Sequence, residues 1–226
     1  MSLKGYIKEN LPWIRSIYRK RLAPINLIHN IYDKPVVVLL YHRVNYLNRD
    51  LFNINVTPDN FERHIRILKN HYNVITFNDL KRNDIKEPSV IITFDDGYYD
   101  NYKYAFPILK KYQVPATIFI TSGGVDTGKE FWWDRLETVL FENKNLRESI
   151  ELDILNQRHI FDVSDDKKRL HSSYTLHHML FSLHPNERDM MLDRWYESYG
   201  LKVNPNNRTM TSSELIELYQ SQLITL

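Results

Sequence analysis

Val90-Ile91-Ile92-Thr93-Phe94 is an unbroken run of apolar and β-branched residues that ends in Asp95-Asp96-Gly97. A run apolar on both of its faces, rather than alternating, is the pattern of a strand buried in a parallel sheet with helices packed over it. Successive side chains of a strand point to opposite faces. Asp95 and Asp96 therefore reach the same side only if the backbone turns there, and Gly97 is the residue that permits such a turn. Parallel α/β sheets bind ligands beyond the carboxyl ends of their strands, where this carboxylate pair falls. An Asx-type turn with no chemistry is the plain alternative for Asp-Asp-Gly taken alone.

Strand and helix patterns alternate around that run, which argues for an α/β barrel or a doubly wound sheet. Val36 to Tyr41 reads as a first buried strand, with His42 at its carboxyl end, on the same rim as Asp95 and Asp96. Thr57-Pro58 opens a helix as N-cap and first helical residue, and Phe61, Ile65 and Leu68 follow at helical spacing. A strand over Asn73 to Thr76 follows, with Asn78 capping a short helix. Tyr98 to Tyr112 reads as a helix interrupted by Pro107, Ala116 to Ile120 as a strand and Phe131 to Phe141 as a helix. Thr121 to Gly124 is then a flexible loop on the rim. Ile150 to Ile154 and His159 to Val163 suit a hairpin, and helices over Asp165 to Leu183 and Asn186 to Tyr199 follow, the second closed by Gly200. Residues 145–208 thus read as an insertion on a domain spanning 35–226. Thr211-Ser212-Ser213-Glu214 is a capping box leading into a last helix, and Leu223 to Leu226 begins another strand.

Residues 1–34 stand apart as a basic amphipathic segment. Residues 4–30 suit either an anionic membrane surface or packing on the chain's own domain. The 226 residues carry no cysteine, which excludes a disulfide framework, a thiol nucleophile and a thiolate metal site. A net charge of +2 offers no footprint for nucleic acid. The longest apolar run is too short to span a bilayer, and no secretory signal pattern is visible, so a cytoplasmic or peripheral-membrane location is expected. The 15 tyrosines and 4 tryptophans suit a sugar-lined cleft as well as a core.

Thr93-Phe94-Asp95-Asp96-Gly97 resembles the first motif of the polysaccharide deacetylases, the NodB homology domain of carbohydrate esterase family 4. The resemblance extends to Val38 through Val44, to Phe61-Glu62-Arg63-His64 through Val74-Ile75-Thr76-Phe77, and to Tyr112 through Ile120. Phe131-Trp132-Trp133-Asp134 and Met210 through Leu215 are also similar. It implies a distorted (β/α) barrel, incomplete at its C-terminus, and a hydrolase that removes N-acetyl groups from an acetylated amino sugar in a polysaccharide or glycan. The family's chemistry then assigns Asp95 as general base and Asp96 as ligand to a divalent metal, Zn²⁺ above all. Thr93 and Gly97 would shape the turn, and His42 would line the cleft.

The resemblance also implies a His-Ser/Thr-x-x-His motif after the strand that begins at Leu223, and the sequence ends before it. The expectation is therefore an inactive chain or a fragment of a longer enzyme. His171, His177 and His178 do not replace that motif: His171 and His178 lie roughly 10 Å apart along a helix, and His177 and His178 diverge around it, so these read as packing or surface residues. Five candidate strands are too few to close a barrel. The open edges should be covered by a second copy, by the N-terminal helices or by a region outside the sequence. Two other function classes remain: a glycan- or partner-binding module without catalysis, and a Mg²⁺-dependent phosphoryl-transfer enzyme. The latter lacks a Gly-rich phosphate loop.

Overall fold

The computed structural model describes residues 36–81, 85, 87–154 and 157–226. The amphipathic reading of residues 4–30 falls outside them. No helix among the described residues is long and apolar enough to cross a membrane.

The chain is α/β, organised on a parallel sheet. Strand β1 (Val36–Tyr41) leads through short β2 (Arg43–Val44) and β3 (Asn55–Val56) into helix α1 (Pro58–His71). Thr57 caps α1 by accepting the Asn60 N–H, Pro58 stands in its first turn, and Phe61, Ile65 and Leu68 are buried. Strand β4 (Asn73–Val74), helix α2 (Phe77–Lys81) and strand β5 (Ser89–Phe94) follow. The expected cap at Asn78 is displaced. α2 already begins at Phe77, and Thr76 and Asp79 tie its start together, Asp79 Oδ2 accepting from both the amide and the hydroxyl of Thr76.

All six residues of β5 are buried, and β5 is the centre of the sheet. Its even-numbered residues bond to one side: Val90 O accepts from Ile75 N–H and Phe94 O from Phe119 N–H, at 2.9 and 2.8 Å. Its other side faces β1, in register Val36↔Ser89 through Tyr41↔Phe94. β4 and strand β6 (Ala116–Ile118) thus share one edge of β5 while β1 takes the other. Strand β9 (Ile224–Thr225) pairs with the far side of β6. Val90, Ile92 and Phe94 pack with Phe61 and Ile65 of α1 and with Phe106 and Leu109 of helix α3 (Phe106–Tyr112). Burying each large apolar side chain contributes about 2 kcal/mol.

β1 departs from the expectation of a buried strand. Val37, Val38 and Leu40 are about half exposed, at 49%, 49% and 54%. Among the described residues β1 pairs only with β5, so it is an edge strand and part of its apolar surface lies open. The helix expected from Tyr98 also starts differently. Asn101–Ala105 forms a wide turn in which Phe106 N–H reaches back to Asn101 O, and α3 begins only at Phe106. Pro107 has no N–H to give the carbonyl four residues before it, and the backbone widens ahead of it.

The 145–208 region builds a second core. Helix α4 (Trp132–Glu137) leads to an antiparallel hairpin, β7 (Ser149–Ile154) with β8 (Gln157–Asp162), then to α5 (Asp166–Ser182) and α6 (Pro185–Tyr199). Trp132, Leu136, Val139, Leu140, Ile150, Leu152, Leu176, Leu180 and Leu192 are buried together there. Gly200 closes α6 in a left-handed conformation. Helix α7 (Ser212–Gln220) starts on a complete capping box of Thr211 and Glu214.

Candidate active site

The site forms where β1, β5 and β6 end side by side. Asp95 N–H donates to Tyr41 O at 2.9 Å, which prolongs the β1–β5 ladder to the first carboxylate. The backbone then turns: Asp96 has φ 73° and Gly97 φ 78°, both left-handed. Gly97 N–H closes back on Asp95 O at 2.9 Å, and Asp96 O accepts from Thr121 N–H at 3.2 Å. A Cβ at Gly97 would lie 3.2 Å from Ile120 Cδ1, so both the turn and the space require glycine. An Asp in this backbone region is strained by about 1–3 kcal/mol, held here by bonds on either side.

The turn brings the second carboxylate to the end of β1. His42 Nδ1 lies 3.0 Å from Asp96 Oδ2, with the two side chains 31% and 22% exposed. Asp95 is half-buried, and its carboxylate makes no hydrogen bond with the described residues. Of the five residues singled out from sequence, His42, Asp95, Asp96 and Gly97 therefore meet at one rim. The Thr93 hydroxyl donates to Leu39 O at 3.1 Å and braces β5 against β1. His177 is sandwiched between Phe52 and Trp132, at 4.8 and 4.6 Å between ring centroids.

Beneath the rim lies a buried polar cluster. Arg43 Nε donates to Asp100 Oδ2 at 2.9 Å, its two terminal nitrogens donate to Asp134 Oδ1 at 3.2 Å and Asn207 Oδ1 at 2.8 Å, and Tyr98 OH donates to Asp134 Oδ2 at 2.9 Å. One guanidinium faces two buried carboxylates. Asp100 also accepts from the Val44 amide and from the side chains of Asn45 and Asn101, and these bonds with Arg43 oppose the burial that raises its carboxyl. Burial lifts the Asp134 carboxyl to about 7 despite Arg43 beside it. Asn101 Nδ2 donates to His42 O at 2.9 Å, which ties this cluster to the candidate site. Sequence reading missed the cluster. A charged Arg43 directly after a strand, and Asp134 after two tryptophans, were its only signals.

A divalent ion would find two donors, His42 and Asp96, within reach of each other. Among the described residues no group of three or more His, Cys, Asp or Glu side chains stands ready to hold a metal. The pair fits such an ion as part of a ligand set and not as the whole of it.

Residues 82–145, which contain Asp95 and Asp96, match the family model described as polysaccharide deacetylase. Bacillus subtilis YxkH is 42% identical over 96 residues, 39% of this chain and 33% of that protein. A Staphylococcus aureus poly-beta-1,6-N-acetyl-D-glucosamine N-deacetylase is 36% identical over 110 residues, 41% of this chain and 38% of that protein. The solved structure of IcaB from Ammonifex degensii is 28% identical, covering 47% of this chain and 49% of that one, with a TM-score of 0.40. The chain thus spans between a third and two fifths of the length of the two curated relatives. The segment 82–145, which holds the Asp-Asp turn, is thus similar to the polysaccharide deacetylases.

Proposed function

We propose that the chain carries one half of a glycan N-deacetylase site, which hydrolyses the acetyl amide of an N-acetylated amino sugar in a polysaccharide. The observation that carries this reading is the contrast between two adjacent carboxylates. Asp96 is held by His42, while Asp95 is free of any hydrogen bond with the described residues and is half-exposed at the same rim. Asp95 is the proton acceptor: it takes a proton from the attacking water as that water adds to the amide carbonyl. Asp96 and His42 would hold a divalent ion, Zn²⁺ by expectation, as part of a larger ligand set. When bound, such an ion makes water more acidic and favours negative charge on the carbonyl oxygen. Gly97 keeps the rim open over both carboxylates.

Acetate release from an oligomer of β-1,6-linked N-acetylglucosamine tests the reading. The assay compares this chain with a form extended past Leu226, each with added Zn²⁺. Release by either form that is lost in Asp95→Asn supports it. A glycan that binds to both forms and never loses acetate would make this a non-catalytic binding module.

A further inference from the structure

The rim loop after β6 separates the candidate site from a second cavity, of about 480 Å³. Thr121 belongs to both: its amide bonds Asp96 O, and its residue lines the cavity wall. Across the cavity stand Trp132 and Arg135 of α4 and Arg188 of α6. Gly124 on the loop side is held close against Thr209, since a Cβ there would come within 2.6 Å of Thr209 Cγ2.

Arg188 is partly buried and Arg135 fully so. Arg188 lies over the Trp132 ring at 4.6 Å. It forms no side-chain hydrogen bond or ion pair with the described residues, and its Nε is fully buried without a partner. Arg135 is only 5% exposed. It has one ion pair, to Asp193 at 2.6 Å, and its Nε is likewise buried and unpartnered. Two carboxylates line the same wall. Glu130 is engaged by Tyr196 and Asn207, at 3.1 and 3.2 Å, and Asp189 acts on Arg188 only through space. The terminal N–H groups of Arg188 have no partner among the described residues while the residue lines the cavity, and guanidinium N–H groups left open in this way are donors suited to oxyanions.

We propose that this cavity is a subsite for an oxyanion carried on a sugar, a carboxylate or a phosphate group, with Arg188 as its main contact and Arg135 as the second. The inference rests on the glycan-directed reading of the adjoining site and sharpens it: the preferred glycan carries an acidic group beside its N-acetylated amino sugar. Trp132 carries Arg188 over its ring and also contacts His177, which helps to orient the guanidinium.

Calorimetry at low salt with three probes tests this: glucuronic acid, N-acetylglucosamine 6-phosphate and neutral N-acetylglucosamine. At least one anionic sugar should bind about tenfold or more tightly than the neutral one, the gain of a charge-assisted pair. Preference between the two assigns the oxyanion as carboxylate or phosphate. R188Q should remove the preference. R188Q removes no hydrogen bond or ion pair with the described residues, only the contact over the Trp132 ring, so the variant should still fold. D189N, which deletes a negative charge from the wall, should strengthen anion binding without depending on R188Q folding. Equal binding of neutral and anionic sugars, or an R188Q variant that keeps the preference, would overturn the proposal. So would inorganic phosphate binding as tightly as the sugar phosphate. Binding is read without acetate release, so a chain that deacetylates but does not discriminate would lose this subsite and keep its proposed activity.

Discussion

His42 Nδ1 and Asp96 Oδ2 lie 3.0 Å apart although 54 residues separate them in the chain. The contact exists because β1 and β5 run parallel and in register, so the residue after one strand faces the turn after the other. Asp96 meets His42 from a left-handed backbone, which turns its carboxylate out of the strand's alternation.

On the proposed reading, the two neighbouring carboxylates have different tasks. Asp96→Asn and His42→Ala should each weaken Zn²⁺ binding about tenfold or more, in line with losses at metal ligands and their partners. Asp95→Asn should leave it within about twofold, because that carboxylate is kept off the ion to stay basic. Competition against a chromogenic chelator reads the difference. Equal weakening by all three substitutions would show that Asp95 is also a ligand.

Gly97→Ala should destabilise the fold by about 1–2 kcal/mol, the cost of a left-handed φ for a residue with a side chain, to which the contact with Ile120 adds. The urea midpoint should fall with no change in slope. An unchanged midpoint would mean that the turn relaxes without glycine.

Arg43→Met removes the cation from between Asp100 and Asp134 and strands buried carboxylates. The expected loss is about 3–5 kcal/mol, the usual result of breaking a buried ion pair from one side. Thermal melting should show a lower Tm, with Arg43→Lys recovering only part of it because one ammonium cannot reach all three acceptors. Full recovery by lysine would reduce the cluster's geometry to charge alone.

The Asp134 carboxyl, pushed by burial from 3.8 to about 7, makes a signed pH prediction. Between those values the folded chain keeps the proton while the unfolded chain releases it. Stability therefore falls as pH rises from about 4 to about 7 and levels off above, since the folded state binds more protons in that window. Asp134→Asn should flatten this component. Unfolding free energies from urea titrations at about pH 5 and about pH 8 should differ less for the variant than for the parent, by an amount on the order of a few kcal/mol. Parallel profiles would assign the titration to other buried acids such as Glu130 or Glu137.

Local chemistry was legible in the sequence. Thr57-Pro58, the Thr211–Glu214 capping box and the Gly200 stop work through bonds within a few residues, and the structure contains all three. The apolar run of β5 declared its own burial, and Asp95-Asp96-Gly97 declared a turn, because period and backbone sterics are properties of adjacent residues. The burial of β1 was misjudged for the opposite reason. Val36 to Tyr41 has the composition of an inner strand, but exposure depends on what pairs with its outer edge, and that neighbour is not encoded in the strand. The early wide turn at Asn101–Ala105 depended on the segment beside it as well as on Pro107, because Tyr99 N–H bonds to Arg208 O.

The residue types at the candidate site were visible, but their pairing was not. Nothing local to His42 names Asp96 as its partner; strand order and register decide it. The Arg43 cluster is a tertiary fact in the same sense, drawing Asp100, Asp134 and Asn207 from three separate segments. Short-range sterics and capping determined which elements form and where the carboxylates lie on them. Only the packed sheet brought charges distant in sequence together away from water, where one guanidinium faces two carboxylates whose pKa values burial raises.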